Sequence, residues 1–378
     1  MRWIFFSPVV FLFYAGICFY IGIRLLGLLR FFCPDTKLII FWIIFVFFCT
    51  APFLTSFINH NINFLRILGS LWMAFFLYML MFLVLSEAAR FIFILKGNKA
   101  ANINLYTTGT ALCLCVLFIF FGIFHARSIK TVDYNISMQG SGGGIRIVLL
   151  SDLHIGSLVN EAWTGRVVEK INKQKPDIVL IAGDIFDGNI DVIRDLQGVI
   201  TNLGSINAPL GAYACLGNHD VDRQALRGGT TKRIEGILKE AGITLLQDEV
   251  VIIRDNLYLG GRRDARPIGL SNERKTSAEM TEGINGTILM MDHQPVQFPQ
   301  LEKAGVSLVV SGHTHKGQLF PASLFTYLIF KRAGASHYGY WKGETMQAVV
   351  TSGAGLWGPP LRIGTNSEIA VINIEFMQ

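Results

Sequence analysis

Four long apolar runs that contain no Asp, Glu, Lys or Arg dominate the first third of the sequence. They cover residues 3–23, 38–58, 67–86 and 105–124. Each is about 20 residues long, the length that a helix needs to cross the hydrocarbon core of a bilayer. No small-residue cleavage site follows the first run, which argues against a cleaved signal peptide. The sequence therefore predicts a helical transmembrane anchor of about four helices within residues 1–130.

Charge separates this anchor from the rest of the chain. Charged residues make up only 16% of the 378 residues, against about 25% in soluble proteins. Residues 1–130 contain ten Lys and Arg but two acids, and because the whole chain carries +6, residues 131–378 sum to −2. The second part therefore lacks the basic field that long nucleic acid requires.

The same charges give an expected orientation. The connections 24–37 and 87–104 each carry three Lys or Arg residues, more than the other loops. The positive-inside rule places such connections in the cytoplasm. Residues 131–378 are then expected outside the cytoplasm, although Arg127 and Lys130, directly after the fourth run, favour the opposite orientation.

A change of pattern follows the anchor. We expect residues 131–144, which end in a glycine-rich stretch, to be a linker, and residues 145–378 to form one domain. Short apolar strands there alternate with polar helices, which predicts a layered α/β fold. The predicted strands are 145–150, 177–183, 211–217, a β-rich stretch at 243–261, 286–293, 306–312, 346–352 and 368–375. The predicted helices are 161–174, 190–203, 222–241 and 295–304.

Five of the six histidines in this domain follow predicted strands, next to Asp or Asn. Ligands of open α/β sheets gather at the carboxyl ends of strands. Carboxylate, amide and imidazole ligands without cysteine suit two Mn, Fe or Zn ions better than a structural zinc site. Two such ions can generate a hydroxide and polarise a phosphoryl group. The motifs are SDLH (151–154), GDIFDG (183–188), GNHD (217–220), MDHQP (291–295) and SGHTH (311–315).

In this order the motifs D-x-H, G-D-x-x-D, G-N-H-D, H and G-H-x-H resemble the calcineurin-like metallophosphoesterase superfamily over residues 145–375. The ending SGAGLWGPPLRIG is similar to its bacterial YkuE-like branch, and the preceding helices resemble transmembrane proteins with a metallophosphoesterase domain. The resemblance implies a four-layer α/β/β/α sandwich. Lys316 departs from the pattern, because a small residue is expected after GHTH.

The resemblance also implies roles for individual residues. Asp184 would bridge the two ions. His219 would serve as general acid or charge stabiliser, oriented by Asp187. The first ion would be held by Asp152, His154, Asp184 and His315, and the second by Asp184, Asn218, His293 and His313.

Further residues have plainer expectations. Asp220 is expected to cap a helix over residues 221–241, and the cluster Arg262, Arg263 and Arg266 to be a solvated face. Arg362 could reach a phosphate or form a structural ion pair. The apolar, aromatic segment 319–332 ends in two cations, so it suits a lipid interface; the alternative is a buried loop.

These observations predict a membrane-anchored, two-metal phosphohydrolase that uses metal-bound hydroxide. A lipid-linked phosphodiester or pyrophosphate is the preferred substrate, because the anchor and the segment 319–332 both bring the site to lipid. One alternative is a nucleotide phosphodiesterase or nuclease. Another is a membrane sensor or scaffold with a vestigial site.

Overall fold

A computed structural model describes residues 8–54, 63–97, 102–140, 142–221, 230–254, 256–265 and 274–377. The chain divides into two compact units, Met1–Phe124 with Gly358–Pro360 and His125–Trp357 with Leu361–Gln378. Some residues of the predicted segments lie outside the described residues. They are residues 3–7 and 55–58 of the apolar runs, residue 141 of the predicted linker, residues 222–229 of a predicted helix, residue 255 of the β-rich stretch, and Arg266.

The first unit contains four apolar helices, as expected. Three of them are long and apolar enough to cross a membrane, whereas the described part of the second has 17 residues. Their length and apolar composition are typical of a membrane protein. The helices are α1 (Pro8–Phe32), α2 (Leu38–Leu54), α3 (Asn63–Leu95) and α4 (Ile103–Ala126).

An ion pair joins these helices where we expected loops. Arg24 lies within α1 and Glu87 within α3, because both helices continue for eight positions beyond these residues. The Arg24 guanidinium pairs with the Glu87 carboxylate and donates from Nε to Thr108 Oγ1 at 2.8 Å. Arg90 pairs with the same carboxylate at 2.8 Å. The first unit is therefore held together by a charged cluster as well as by apolar packing, and the expected placement of Arg24 and Glu87 in connections was wrong.

The second unit is built on two six-stranded sheets, which confirms the α/β sandwich. The first sheet has the order β1-β12-β2-β3-β4-β5 and the second the order β10-β11-β9-β8-β7-β6. The first sheet comprises β1 (Ile129–Gln139), β2 (Ile145–Leu150), β3 (Ile178–Ala182), β4 (Ala212–Cys215), β5 (Ile243–Leu245) and β12 (Ser367–Met377). The second comprises β6 (Glu249–Arg254), β7 (Leu257–Gly261), β8 (Thr287–Met291), β9 (Leu308–Ser311), β10 (Gly339–Lys342) and β11 (Gln347–Val350).

Helices cover the outer faces of the two sheets and complete four layers. Strand residues alternate between faces, so Leu149 and Leu289 meet in the core between the sheets, while Leu150 and Met290 belong to the outer cores. These helices are α5 (Glu161–Lys173), α6 (Leu196–Gly204), α7 (Thr230–Glu240), α8 (Ser277–Thr281) and α9 (Phe298–Lys303). A further helix, α10 (Ala322–Arg332), lies at the surface.

Two local expectations need correction. Residues 131–144 are not a linker throughout, because β1 covers most of them and pairs in parallel with β12. Alternating side chains explain this, since Ile136 and Met138 are buried and their neighbours are exposed. The predicted helix 190–203 is broken into a short 3₁₀ turn and α6, because Asp195 caps α6 by accepting the Gly198 N–H at 2.8 Å.

Candidate metal centre

The seven predicted ligands all lie in loops at the carboxyl ends of strands. Strands β2, β3 and β4 run parallel, and so do β8 and β9, so their loops open at the same edge of each sheet. This is where ligands of α/β sheets are expected. Asp152 and His154 follow β2, Asp184 follows β3, Asn218 follows β4, His293 follows β8, and His313 and His315 follow β9.

Five of these ligands have a left-handed backbone. Their φ angles lie between 48° and 69°, a region that few residues other than glycine adopt. Each such residue costs of order 1–3 kcal/mol, and such strain gathers at functional sites. The residues are Asp152, His154, Asp184, His313 and His315.

Glycines make the close packing of the two buried carboxylates possible. A Cβ on Gly217 would lie 2.2 Å from Asp184 Oδ1, and one on Gly312 would lie 2.2 Å from Asp152 Oδ2. Among the three glycines that precede predicted ligands, Gly183 has a positive φ of 79°. Positions 217 and 312 require glycine because a larger residue would have no room for its side chain.

The first group of ligands surrounds the imidazole of His315. Its Nε2 lies 3.0 Å from His154 Nε2 and 3.5 Å from Asp152 Oδ1. All three side chains are buried. Two imidazole nitrogens so close to each other and to a carboxylate form a set that a cation can bind in common.

The second group lies around Asp184. Its Oδ2 is 3.2 Å from His293 Nε2, which is itself 3.2 Å from His313 Nδ1. The same Asp184 oxygen is 3.7 Å from His154 Nε2 of the first group. Asp184 therefore occupies a bridging position between the two groups.

Two further features of the site fit a metal centre. The Asn218 Oδ1 atom is buried without a hydrogen-bond partner, which is costly for a polar oxygen unless a cation binds it. His293 Nδ1 contacts the Ala182 carbonyl oxygen at 2.8 Å. A proton on Nδ1 donates to that carbonyl, which leaves Nε2 free to bind a metal.

Protonation of the isolated side chains also favours cation binding. Burial lowers the pKa of His154 to about 3 and that of His315 well below its usual range, so both imidazoles are neutral, the form that binds metal. Burial opposes the charge on His293, but the nearby Asp184 carboxylate outweighs it and raises the His293 pKa. A divalent cation would replace that proton as the partner of Asp184. The donor set therefore fits two divalent ions.

His219 and Asp187 lie beside the first group. Asp187 Oδ1 is 3.7 Å from His219 Nδ1 and 3.8 Å from His154 Nδ1, so these three side chains form a third group close enough to share a cation. The His219 side chain is 31% exposed, unlike the buried ligands. It is therefore positioned to meet a molecule arriving from solvent.

Asp220 and Arg262 are both buried, and both bond to other groups of the domain. The buried Asp220 carboxylate accepts the backbone N–H groups of Phe186 and Gly217, both at 2.8 Å, and so ties two ligand loops together. The described part of α7 begins ten residues later at Thr230, and the start of the predicted helix lies outside the described residues. Arg262 is buried and pairs with Asp292 at 2.8 Å, whereas Arg263, with a side chain 41% exposed, keeps more of the expected solvated character.

Arg362 and Lys316 have structural partners. Arg362 is fully buried and donates to the carbonyl oxygens of Ser352 at 2.8 Å and Gly355 at 2.9 Å. The guanidinium also lies 3.4 Å from Nδ1 of the predicted ligand His315 and 3.5 Å from the Thr365 hydroxyl. The Lys316 ammonium lies 3.9 Å from the centre of the Tyr338 ring, a cation–π contact.

Sequence reasoning missed Trp357 and Gln318. The Trp357 ring lies 6.1 Å from that of His219 and 6.4 Å from that of His315, and 51% of the residue is exposed. The Gln318 side chain accepts the Trp357 N–H at 3.0 Å and donates to the Trp357 carbonyl at 2.8 Å. The motif GLWGPP, quoted for its resemblance alone, was the signal that could have identified Trp357.

Comparisons with known proteins agree with this geometry. Residues 145–317 match the family model of the calcineurin-like phosphoesterases. An uncharacterized metallophosphoesterase from Campylobacter jejuni is 29% identical over 313 residues, 79% of each chain. A transmembrane protein with metallophosphoesterase domain from Danio rerio is 31% identical over 71% of this chain and 62% of its own length.

More distant matches have the same character. YkuE from Bacillus subtilis, an uncharacterized metallophosphoesterase, is 27% identical over 61% of this chain and 79% of its own. Among solved structures, a 5'-nucleotidase precursor from Thermus thermophilus gives a TM-score of 0.35 at 15% identity, over 62% of this chain and 54% of that one. That structural likeness is too weak to carry an argument about substrate.

Proposed function

We propose that this chain cleaves its substrate with two divalent metal ions, Mn, Fe or Zn. The premise is that the chain carries a calcineurin-like metallophosphoesterase domain, which follows the apolar membrane helices in sequence, and is a phosphoester hydrolase. The observation that carries the proposal is the bridging position of Asp184, whose Oδ2 lies 3.7 Å from His154 and 3.2 Å from His293. One carboxylate oxygen thus serves both ligand groups.

The proposed ligand sets follow from these groups. Asp184 is common to both, and Asn218 joins the second through its otherwise unpartnered oxygen. When bound, the two ions supply an activated water and stabilise the charge on the phosphoryl group. The first ion would be held by Asp152, His154, Asp184 and His315, and the second by Asp184, Asn218, His293 and His313.

His219 is proposed as the group that protonates or stabilises the leaving oxygen. Its ring is partly exposed beside the ligands, and its Nδ1 lies 3.7 Å from Asp187 Oδ1. A carboxylate at that nitrogen orients the ring and leaves Nε2 to meet the leaving group. Its backbone N–H donates to Asp184 Oδ1 at 2.8 Å, which ties its position to that of the bridging ligand.

For the substrate we propose a lipid-linked phosphodiester or pyrophosphate. The membrane helices keep the domain at a bilayer, and residues 131–378 carry a net charge of −2, which disfavours long nucleic acid. The Lys and Arg residues of segments 24–37 and 87–104, which include the ends of α1 and α3, favour an extracytoplasmic domain. We further propose that the catalytic domain begins with β1 rather than at residue 145.

The test is metal dependence of the full-length protein in detergent. Hydrolysis of bis(p-nitrophenyl) phosphate is expected to stop when EDTA removes the metal and to return when Mn is added. Full activity at a metal content well below one ion per chain would overturn the two-metal proposal. A protein that neither holds metal nor hydrolyses the diester would instead support the vestigial alternative.

A further inference from the structure

Helix α10 has an unusual surface for a helix of a soluble domain. None of its residues is buried. Four apolar side chains, which we call the α10 apolar face, are exposed at positions i, i+1, i+4 and i+5, so they share one side of the helix. They are Leu324 (55% exposed), Phe325 (63%), Leu328 (49%) and Ile329 (63%).

The other side of α10 is the more polar one. Ser323 and Thr326 are less exposed than the α10 apolar face, and the Thr326 hydroxyl bonds to the Ser323 carbonyl at 3.0 Å. Phe330 is the residue of this side that packs on a hydrophobic core. A helix at the surface of a soluble domain has the reverse arrangement, apolar inward and polar outward. A contiguous exposed apolar patch of this kind marks an interaction surface.

Charge around the helix narrows the choice of partner. Residues 303–343 contain five Lys and Arg residues and no Asp or Glu, although the domain as a whole is acidic. Lys331 and Arg332 end the helix, and Lys331 Nζ contacts the Tyr327 hydroxyl at 3.2 Å. Apolar side chains bordered by cations and by a tyrosine suit the surface of a bilayer with anionic lipids.

Helix α10 follows the metal centre closely along the chain. Only three residues separate Gln318 from the start of α10, and Gln318 follows the ligand His315 by three positions. The same Gln318 side chain holds Trp357, whose exposed ring lies beside His219. A surface that met α10 would therefore also come close to the partly exposed side of the metal centre.

The chain also limits how far this domain can move from a membrane. Helix α4 ends at Ala126 and β1 begins at Ile129. A connection of two residues keeps the effective concentration of bilayer around the domain high, so even a small apolar surface can bind it.

We propose that the α10 apolar face binds the surface of an anionic bilayer, and that the metal centre beside it takes phosphate groups of molecules held in that surface. The binding of phosphate groups at the metal centre rests on the proposed function, whereas the binding of α10 to the bilayer surface does not. The helix thus adds the recognition of a lipid surface to the hydrolysis of a phosphoester.

The first experiment measures the environment of the helix directly. The full-length protein carries a spin label at Ile329→Cys, with the exposed Cys33 and Cys113 changed to serine, in vesicles of equal parts phosphatidylcholine and phosphatidylglycerol. We expect oxygen, which concentrates in lipid, to relax this label more than a water-soluble nickel complex does. A label at Glu169→Cys, on the exposed side of α5, is the control and should show the opposite preference.

Two other outcomes would overturn the proposal that α10 binds a membrane surface. A label at residue 329 that behaves like the control would show that water covers the helix. A label shielded from both oxygen and nickel would show that protein, such as a second copy of the chain, covers it. Repeating the measurement with Phe325→Cys guards against a local effect of one substitution. Because no catalysis is involved, these results do not depend on the metal proposal.

The second experiment links the helix to turnover. Phe325→Ser with Ile329→Ser should lower, by about tenfold, the ratio of hydrolysis of phosphatidyl-p-nitrophenol in the same vesicles to hydrolysis of bis(p-nitrophenyl) phosphate. Lys239→Ser, on the exposed surface of α7, should leave the ratio unchanged. An unchanged ratio in the double variant would refute the link, whereas no hydrolysis of either compound by the unmodified protein would count against the proposed function instead.

Discussion

The packing of Gly312 against the β2 loop offers a sharp test of the metal centre. Gly312 does not have the positive φ that would strain an alanine, so Gly312→Ala isolates the effect of one methyl group. Its Cβ would lie 1.9 Å from Ser151 Oγ and 2.2 Å from Asp152 Oδ2, where ordinary contacts begin at 3.4 Å. Ser151 is fully buried and bonded to the Ala182 carbonyl at 2.8 Å, so it has little freedom to turn away.

The loops must therefore separate by more than about 1 Å. A displacement of that size near the reacting groups costs roughly 10²-fold in rate, and overpacking costs about 1–3 kcal/mol of stability. We expect Gly312→Ala to lose Mn affinity and about 10²-fold in kcat/KM on bis(p-nitrophenyl) phosphate. The assays are metal analysis, steady-state kinetics with Mn titration, and thermal unfolding in detergent.

A matched control separates this effect from alanine in general. Gly236 lies within α7 and a Cβ there would meet no atom within 4 Å. Gly236→Ala should keep full activity and gain about 0.5–1 kcal/mol of stability. Wild-type kcat and metal content in Gly312→Ala would refute the argument that these loops need a glycine at this position.

Three further predictions concern the roles of two site residues, the orientation of the chain in the membrane and the stability of the helical unit. Asp184→Asn should lose metal and activity together, as metal analysis and diester assays would show. His219→Ala should keep its metal and lose about 10²–10⁴-fold in rate. Loss of metal in the His219 variant would instead show that His219 is a metal ligand. Alkaline phosphatase fused after Gln378 should be active in cells, and fluorescence from a cytoplasmic fluorescent protein fused there would refute the extracytoplasmic orientation. Glu87→Gln should lower the melting temperature in detergent, because it leaves the partly buried Arg24 guanidinium without its carboxylate, and an unchanged melting temperature would contradict that role.

Much of the sandwich could be predicted because its signals are local. Strand β2 has the predicted bounds, and β3 and β8 differ from their predicted bounds by one or two residues at each end. A short apolar run such as IRIVLL buries its side chains when it forms a strand of a buried sheet. The grouping of six of the seven predicted ligands could be foreseen for a related reason. Their side chains follow these strands directly, and the sheet brings the strand ends together.

What sequence reasoning missed depends on distant partners. The sequence of β1 resembles a polar connection, and the segment forms a strand by pairing with the distant β12. The pairing of Arg24 with Glu87 joins residues 63 positions apart. Asp220 resembles a helix cap locally, but its carboxylate is used by backbone N–H groups of another loop. In each case the chain segment alone allows several structures, and tertiary contacts select one.

The pairing of β1 with β12 also has a consequence for how the protein is made. Ile129 pairs with Ser367, 238 positions later, and β12 lies between β1 and β2 in the sheet. During synthesis β1 emerges directly after a membrane helix and must then wait for almost the whole domain before a partner exists. Contacts this distant in sequence form slowly, and an unpaired strand edge invites association with other chains. Nascent chains stalled before residue 367 should therefore be the form of this protein most dependent on chaperones.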